Sequence, residues 1–199
     1  MRDLHLYAQP WWVNLLLLAP AISYAHWRRT GLLLNGRKLA ILALFAASFG
    51  FVEAVVVVYL RGALVATPAQ QSSASTYQQA LSFLAQIPQD LRTIEVCREA
   101  ATMLMLISVA LIAGSAAKER WAAFLWTFAV WDISYYIGLW ATLRWPASLY
   151  DYDVLFLIPV PWFAQVWFPV LVSTLAMLGV ALSSSSAPLH DRGLGFRSR

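Results

Sequence analysis

Apolar residues run through this chain in long blocks, and most polar residues gather where one block ends and the next begins. A helix needs about 20 mostly apolar residues to cross a bilayer. Residues 10–27, 39–60, 91–114, 121–143 and 161–182 meet that length or come close to it. The pattern predicts an all-α, polytopic membrane protein: a five-span helical bundle forming one transmembrane domain over residues 1–182.

The first block opens with Pro10-Trp11-Trp12 and closes at Trp27, which places tryptophans at both interfaces. Pro20 predicts a kink. Ser23-Tyr24-Ala25 has the small residues of a signal-peptide cleavage site. The nearly neutral segment before it, Trp11, Trp12 and the following Arg28-Arg29 favour a span instead. In the second block Ala46, Gly50 and Ala54 recur at the four-residue spacing that lets helices approach closely. Glu53 follows three positions after Gly50, so it points into a helix interface and away from acyl chains.

The polar stretch 62–90 contains an amphipathic pattern over 76–87, opened by a Thr76…Gln79 capping box and closed by Pro88. It predicts a short helix lying on the membrane surface, with Asp90 as N-cap of the third span. Lys118-Glu119-Arg120 predicts a tight turn before the fourth span. Residues 150–182 are too many for one straight crossing, and Pro159 and Pro161 divide them. The expected arrangement is a re-entrant or interfacial segment over 151–160 and a last span starting at Pro161 and bent at Pro169. A disordered cytoplasmic tail over 183–199 follows.

Composition agrees with lipid as the solvent. Of 199 residues 60% are hydrophobic and 12% charged, where a soluble domain has about 25% charged. Mean hydropathy is +0.62. The single cysteine, Cys97, excludes an internal disulfide and reads as a small packing residue. Net charge is +4, but the basic residues sit at span ends, which argues against nucleic acid as a partner. With five spans, nine basic residues fall on one side (Arg28, Arg29, Arg37, Lys38, Lys118, Arg120, Arg192, Arg197, Arg199) and four on the other (Arg2, Arg61, Arg92, Arg144). The positive-inside rule then places the N-terminus outside and the C-terminus in the cytoplasm, with a cell inner membrane as the expected location.

The third span carries the chemistry. Glu95, Arg98, Glu99 and Thr102 are spaced three or four apart and form one polar stripe, which must face protein or water. Counted at 1.5 Å per residue, Glu53 and Glu99 lie about 12 Å below the outer ends of their spans, Tyr136 about 12 Å and Asp132 about 18 Å below Arg144. Tyr135 shares that face. Three helices therefore bring Glu53, Glu95, Glu99, Asp132, Tyr135 and Tyr136 to the outer half, with Arg98 as the one cation.

Four carboxylates against one guanidinium are unfavourable in hydrocarbon. Protonation, access to external water or a bound cation would relieve them, and all-oxygen ligands would suit Mg²⁺, Ca²⁺ or Mn²⁺ better than zinc. The plainer alternatives are a helix-local Glu95–Arg98–Glu99 ion pair, a hydrogen-bonded Glu53, packing tyrosines and a polar pin at Asp132. Asp151 and Asp153 read as outer-surface cap or turn residues, or as a gate to the site from above, since the 155–160 segment folds over the same side. The aromatics around Asp132 would serve lipid packing or a cation–π pocket. No P-loop, dinucleotide fingerprint, nucleophile elbow or His-rich metal motif occurs. Three functions stay open: binding or transport of a cation or of a small polar or lipid-like ligand; an intramembrane enzyme acting on a lipid or isoprenoid by carboxylate chemistry; and a non-catalytic subunit, or a homo-oligomer, whose stripe a partner helix covers.

Overall fold

The computed structural model describes residues 7–64 and 76–185. It is mostly helical. A short strand β1 (Ala8–Gln9) leads into a 3₁₀ segment (Trp11–Leu17), which continues as α1 (Leu18–Thr30). Then come α2 (Gly36–Leu64), α3 (Tyr77–Gln86), α4 (Gln89–Ala113), α5 (Ala117–Leu143), strands β2 (Tyr152–Phe156) and β3 (Trp162–Gln165), and α6 (Trp167–Ser185). Four helical stretches are long and apolar enough to cross a membrane: Gly36–Gly62, Gln89–Ala113, Ala117–Leu143 and Trp167–Ser184.

Helix α5 is the centre of the bundle, packed by α2, α4 and α6, while α1 lies against α6. Small residues set the α2–α5 contact. A Cβ built on Gly50 would lie 2.5 Å from the Trp131 carbonyl oxygen, and one on Gly138 would lie 2.8 Å from the Ala54 Cβ. Ala46 and Ala54 are fully buried in the same seam, so the four-residue small pattern does lie against a neighbour.

The two ends of the bundle differ. At one end Lys118 Nζ donates to the carbonyls of Thr30 and Gly31 at 3.0 and 2.9 Å, and Lys38 Nζ donates to that of Ala113 at 3.3 Å. These lysines satisfy the last carbonyls of α1 and α4, which a helix cannot pair internally. At the other end an antiparallel sheet in the order β1-β3-β2 closes the bundle, pairing Ala8 with Ala164 and Asp153 with Ala164 from opposite sides. A bulge between Val154 and Phe156 brings Phe156 opposite Trp162.

Several element boundaries depart from the sequence pattern. Strands replace the expected interfacial segment and the first turn of the last span, so the chain is not all-α. Residues 158–161, Ile-Pro-Val-Pro, explain this: a residue before proline avoids the helical region, and each proline lacks the N–H that a helix interior uses. Helix α6 starts at Trp167, which puts Pro169 in its first turn with no ladder bond to break. Pro20 likewise sits in the first turn of α1. Lys118, Glu119 and Arg120 belong to the first turn of α5, where Glu119 Oε2 accepts the amides of Ser115 and Ala116. Helix α4 is preceded by Pro88, with Asp90 inside its first turn rather than at the cap.

The Thr76–Gln79 capping box is present. The apolar face of α3 packs on the hairpin, however, with Tyr77 edge-on to Phe163 at 5.2 Å. Cys97 is exposed rather than packed. Residues 183–185 are helical, and the remainder of the expected tail, 186–199, lies outside the described residues.

The Gly50 contact yields the first prediction. Gly50→Ala should destabilise the protein by about 1–3 kcal/mol, the usual cost of overpacking, whereas Gly62→Ala, with nothing within 4 Å among the described residues, should leave it as stable or slightly more so. Thermal unfolding of both variants in neutral detergent micelles checks the difference.

Candidate functional site

An apolar helix gives its acids nowhere to go but inward, and here the inward faces meet. Glu53 is 4% exposed, Glu99 and Asp132 each 7%. Together with Arg98, Tyr135 and Tyr136 they line one cavity of about 90 Å³ below the sheet end. Its wall is completed by Asp153 and Phe156 from β2, Trp131 from α5 and Phe168 from α6. Glu95 is the one candidate that does not reach the cavity; it acts through Arg98.

Arg98 bridges two helices. Its Nε and one terminal nitrogen each lie 2.8 Å from Glu95 Oε2, and its other terminal nitrogen pairs with Glu53 Oε2. Thr102 Oγ1 donates to Glu53 Oε1 at 3.0 Å. The stripe on α4 therefore faces α2, one turn contributing the cation and the next the hydroxyl. Glu99 is held differently: the Leu157 amide donates to its Oε2 at 2.8 Å. Among the described residues it forms no ion pair with Arg98.

Asp132 accepts a single hydrogen bond among the described residues, from Ser173 Oγ to Oδ2 at 2.8 Å. Tyr136 donates its phenol to Asp153 Oδ2 at 2.9 Å, and the Val154 amide donates to Oδ1. Tyr135 stacks on Trp131 with centroids 6.1 Å apart and meets Tyr136 edge-on at 5.3 Å. The indole N–H of Trp131, a residue 7% exposed, has no acceptor among the described residues, and neither has that of Trp162.

Burial pushes the Asp153 carboxyl from 3.8 up to about 6, against the pull of Arg61, the Tyr136 hydroxyl and the Val154 amide. Arg61 itself lies over the Trp145 ring at 4.5 Å. The site thus holds five acids, Glu53, Glu95, Glu99, Asp132 and Asp153, against the guanidiniums of Arg98 and, next to Asp153, Arg61.

No group of three or more His, Cys, Asp or Glu side chains among the described residues is placed to hold a metal ion. The oxygen-ligated divalent cation therefore finds no ligand set there. Each acid is instead held by a donor: Glu53 and Glu95 share Arg98, Glu99 takes the Leu157 amide, Asp132 Ser173 and Asp153 Tyr136. Asp151, expected as a turn residue, accepts the Ala147 and Ser148 amides at 2.9 and 3.2 Å.

Asp153, Ser173 and the Leu157 amide join the candidate residues at the cavity, the first expected only as a turn residue able to gate the site from above and the other two not expected there. A signal for the first and last existed: aromatic and β-branched residues on both sides of a Pro-Val-Pro turn read as a hairpin. Ser173 carries no comparable mark, since a lone serine in an apolar helix usually bonds its own backbone.

Two outcomes follow. Arg98→Met should cost about 3–5 kcal/mol by stranding two buried carboxylates, and adding Glu53→Gln to it should recover part of the loss; melting temperatures of the single and double variants check this. For Asp153 the sign is set by its raised value. A carboxyl that holds its proton more tightly when folded contributes stability that is complete below pH 3.8 and lost as pH rises through about 6. Asp153→Asn should therefore show a smaller fall in melting temperature than wild type between about pH 4 and about pH 7.

Compared with known proteins, the chain matches no protein-family model, no curated protein and no solved structure.

Proposed function

We propose that this chain is a five-span protein of the cell membrane whose cavity binds a small polar or lipid-like ligand in a binding role. The observation that carries the reading is the convergence of Glu53, Glu99 and Asp132, from three separate helices, with Asp153 of the hairpin on one partly open cavity. A cavity of about 90 Å³ has room for several waters, each needing roughly 10–15 Å³. It would take a headgroup or a small molecule, not the length of an acyl or prenyl chain.

The fifth crossing is the stretch Trp11–Thr30. Its 3₁₀ and α segments together rise about 33 Å, near the thickness of the hydrocarbon core. It runs from the sheet end to the basic end, where its last carbonyl receives Lys118. The basic end, with Arg28, Arg29, Arg37, Lys38, Lys118 and Arg120, faces the cytoplasm by the positive-inside rule. The N-terminus and the cavity are then on the outer side.

Transport is less well supported, because the ionisable cluster stops in the half of the bundle nearer the sheet. A non-catalytic subunit is also less well supported, because the polar stripe of α4 faces the interior instead of an open flank. An enzymatic reading has one specific observation behind it. Asp153, with its carboxyl raised to about 6 and hydrogen-bonded by Tyr136, suits proton transfer near neutral pH.

Native mass spectrometry of the protein extracted from its own membrane tests the binding role. Wild type should carry an added mass that Glu99→Gln and Asp132→Asn lose while still melting cooperatively. Unchanged spectra with lowered melting temperatures would leave the acids only a structural role. Reporter fusions test the topology: a reporter at the N-terminus should be active only outside, and one at the C-terminus only inside.

A further inference from the structure

The charge of the cavity wall, its unmet hydrogen-bonding capacity and its aromatic lining together say what kind of polar group fits. The one guanidinium on the wall, Arg98, is already engaged by Glu53 and Glu95 on two sides. Arg61, the next cation, lies over Trp145 and acts on Asp153. Glu99, Asp132 and Asp153 are thus left in excess around the open space. Asp132 is more than nine-tenths buried, lines the cavity, and has one carboxylate oxygen, Oδ1, that meets no donor among the described residues. That oxygen opens on the cavity space, so its donor must come from whatever occupies the cavity.

Resting on the binding role argued above, we propose that the cavity takes an organic ammonium group, with the acids as counter-charge and the aromatic wall as its apolar housing. An anionic group is disfavoured by the same charges, since a phosphate or carboxylate would meet three acids and, among the described residues, no free cation; the idle N–H groups of Trp131 and Trp162 are neutral donors and do not offset three acids. A bare metal ion is poorly served, because the acids do not converge as a ligand set. An ammonium needs no such convergence. Its N–H donors are satisfied by Asp132 Oδ1 together with a second wall oxygen, and its charge is attracted to the faces of rings such as Trp131, Tyr135 and Phe156. Cation–π attraction and ion pairing both strengthen where water is excluded. The small volume selects the head of the ligand; any alkyl chain must stay outside.

The ammonium could belong to a lipid-like amphiphile or to a free amine, and titration calorimetry in maltoside micelles separates the two. Octylamine, ethylamine, octan-1-ol and octyl phosphate are titrated separately into wild type, Asp132→Asn and Tyr59→Phe, the last being an exposed control. The expected result is saturable one-to-one binding of octylamine, weakened at least tenfold by Asp132→Asn and unchanged by Tyr59→Phe. Ethylamine binding within threefold of octylamine assigns a free amine; binding tenfold or more weaker assigns a chain-bearing one. Octanol or octyl phosphate binding as tightly as octylamine, with the same sensitivity to Asp132→Asn, overturns the ammonium while keeping the binding role. Octylamine binding that Asp132→Asn leaves unchanged overturns the ammonium at this cavity. Absence of saturable binding by all four overturns the ammonium, and with an unaltered native mass spectrum it overturns the binding role too. Cooperative melting of Asp132→Asn, and the same titrations on Glu99→Gln, guard against a variant that has merely failed to fold.

Discussion

A charge inside an apolar bundle must be matched by another group or the bundle does not form, and Arg98 is where that constraint is met. Helices α2 and α4 both lean on α5 and do not pack closely on one another. The gap between them is crossed by side chains: Arg98 reaches Glu53 on α2 while holding Glu95 on its own helix, and Thr102 takes the second Glu53 oxygen. Removing water from each of these ions costs several kcal/mol, so none is stable there without its partner. The height of Glu53 depends in turn on Gly50, one turn earlier, whose missing side chain lets α2 seat against the Trp131 carbonyl. One glycine, one arginine and one hydroxyl together fix Glu53 at the cavity wall.

The roof of that space is made of strands for a physical reason. A helix uses its own amides internally and has none to give a neighbouring carboxylate except at its first turn. The hairpin and the turn that follows β2 leave amides free, and the Leu157 amide goes to Glu99. Non-helical backbone is tolerated at such a position because it is enclosed by protein: α3 covers one side of the hairpin and the 3₁₀ segment and α6 the other. The bulge between Val154 and Phe156 re-aims the strand as it passes over the cavity. Asp153 and Phe156 both reach the wall as a result.

Elsewhere many polar groups of the bundle are closed off in pairs, with Arg92 Nε and Ser184 Oγ left over among the described residues. Lys118 and Lys38 cap helix ends, Trp126 Nε1 donates to the Leu39 carbonyl at 2.9 Å, and Trp121 Nε1 donates to Ser23 at 2.9 Å. Around the cavity the pairing is incomplete among the described residues: Asp132 Oδ1 meets no donor, and the N–H groups of Trp131 and Trp162 meet no acceptor.

The helices were legible from residue order because their cause is local. Runs of apolar residues at bilayer length, small residues four apart and acids at matching depth are properties of single segments, and they placed Glu53, Arg98, Glu99, Asp132, Tyr135 and Tyr136 near one level. Which acid meets which donor was not legible. The pairings join residues 41 to 58 positions apart, Asp132 with Ser173, Glu53 with Thr102 and Glu99 with Leu157, and depend on how three helices lean on α5. The prolines at 159 and 161 announced a break, but whether the chain beyond it resumes a helix or turns back as a strand is decided by what can pair with it. Here β1, from the other end of the sequence, and β2 lie on its two sides. Segment identity came from the sequence because it depends on a residue's solvent; the site came from the tertiary structure because it depends on a residue's neighbours.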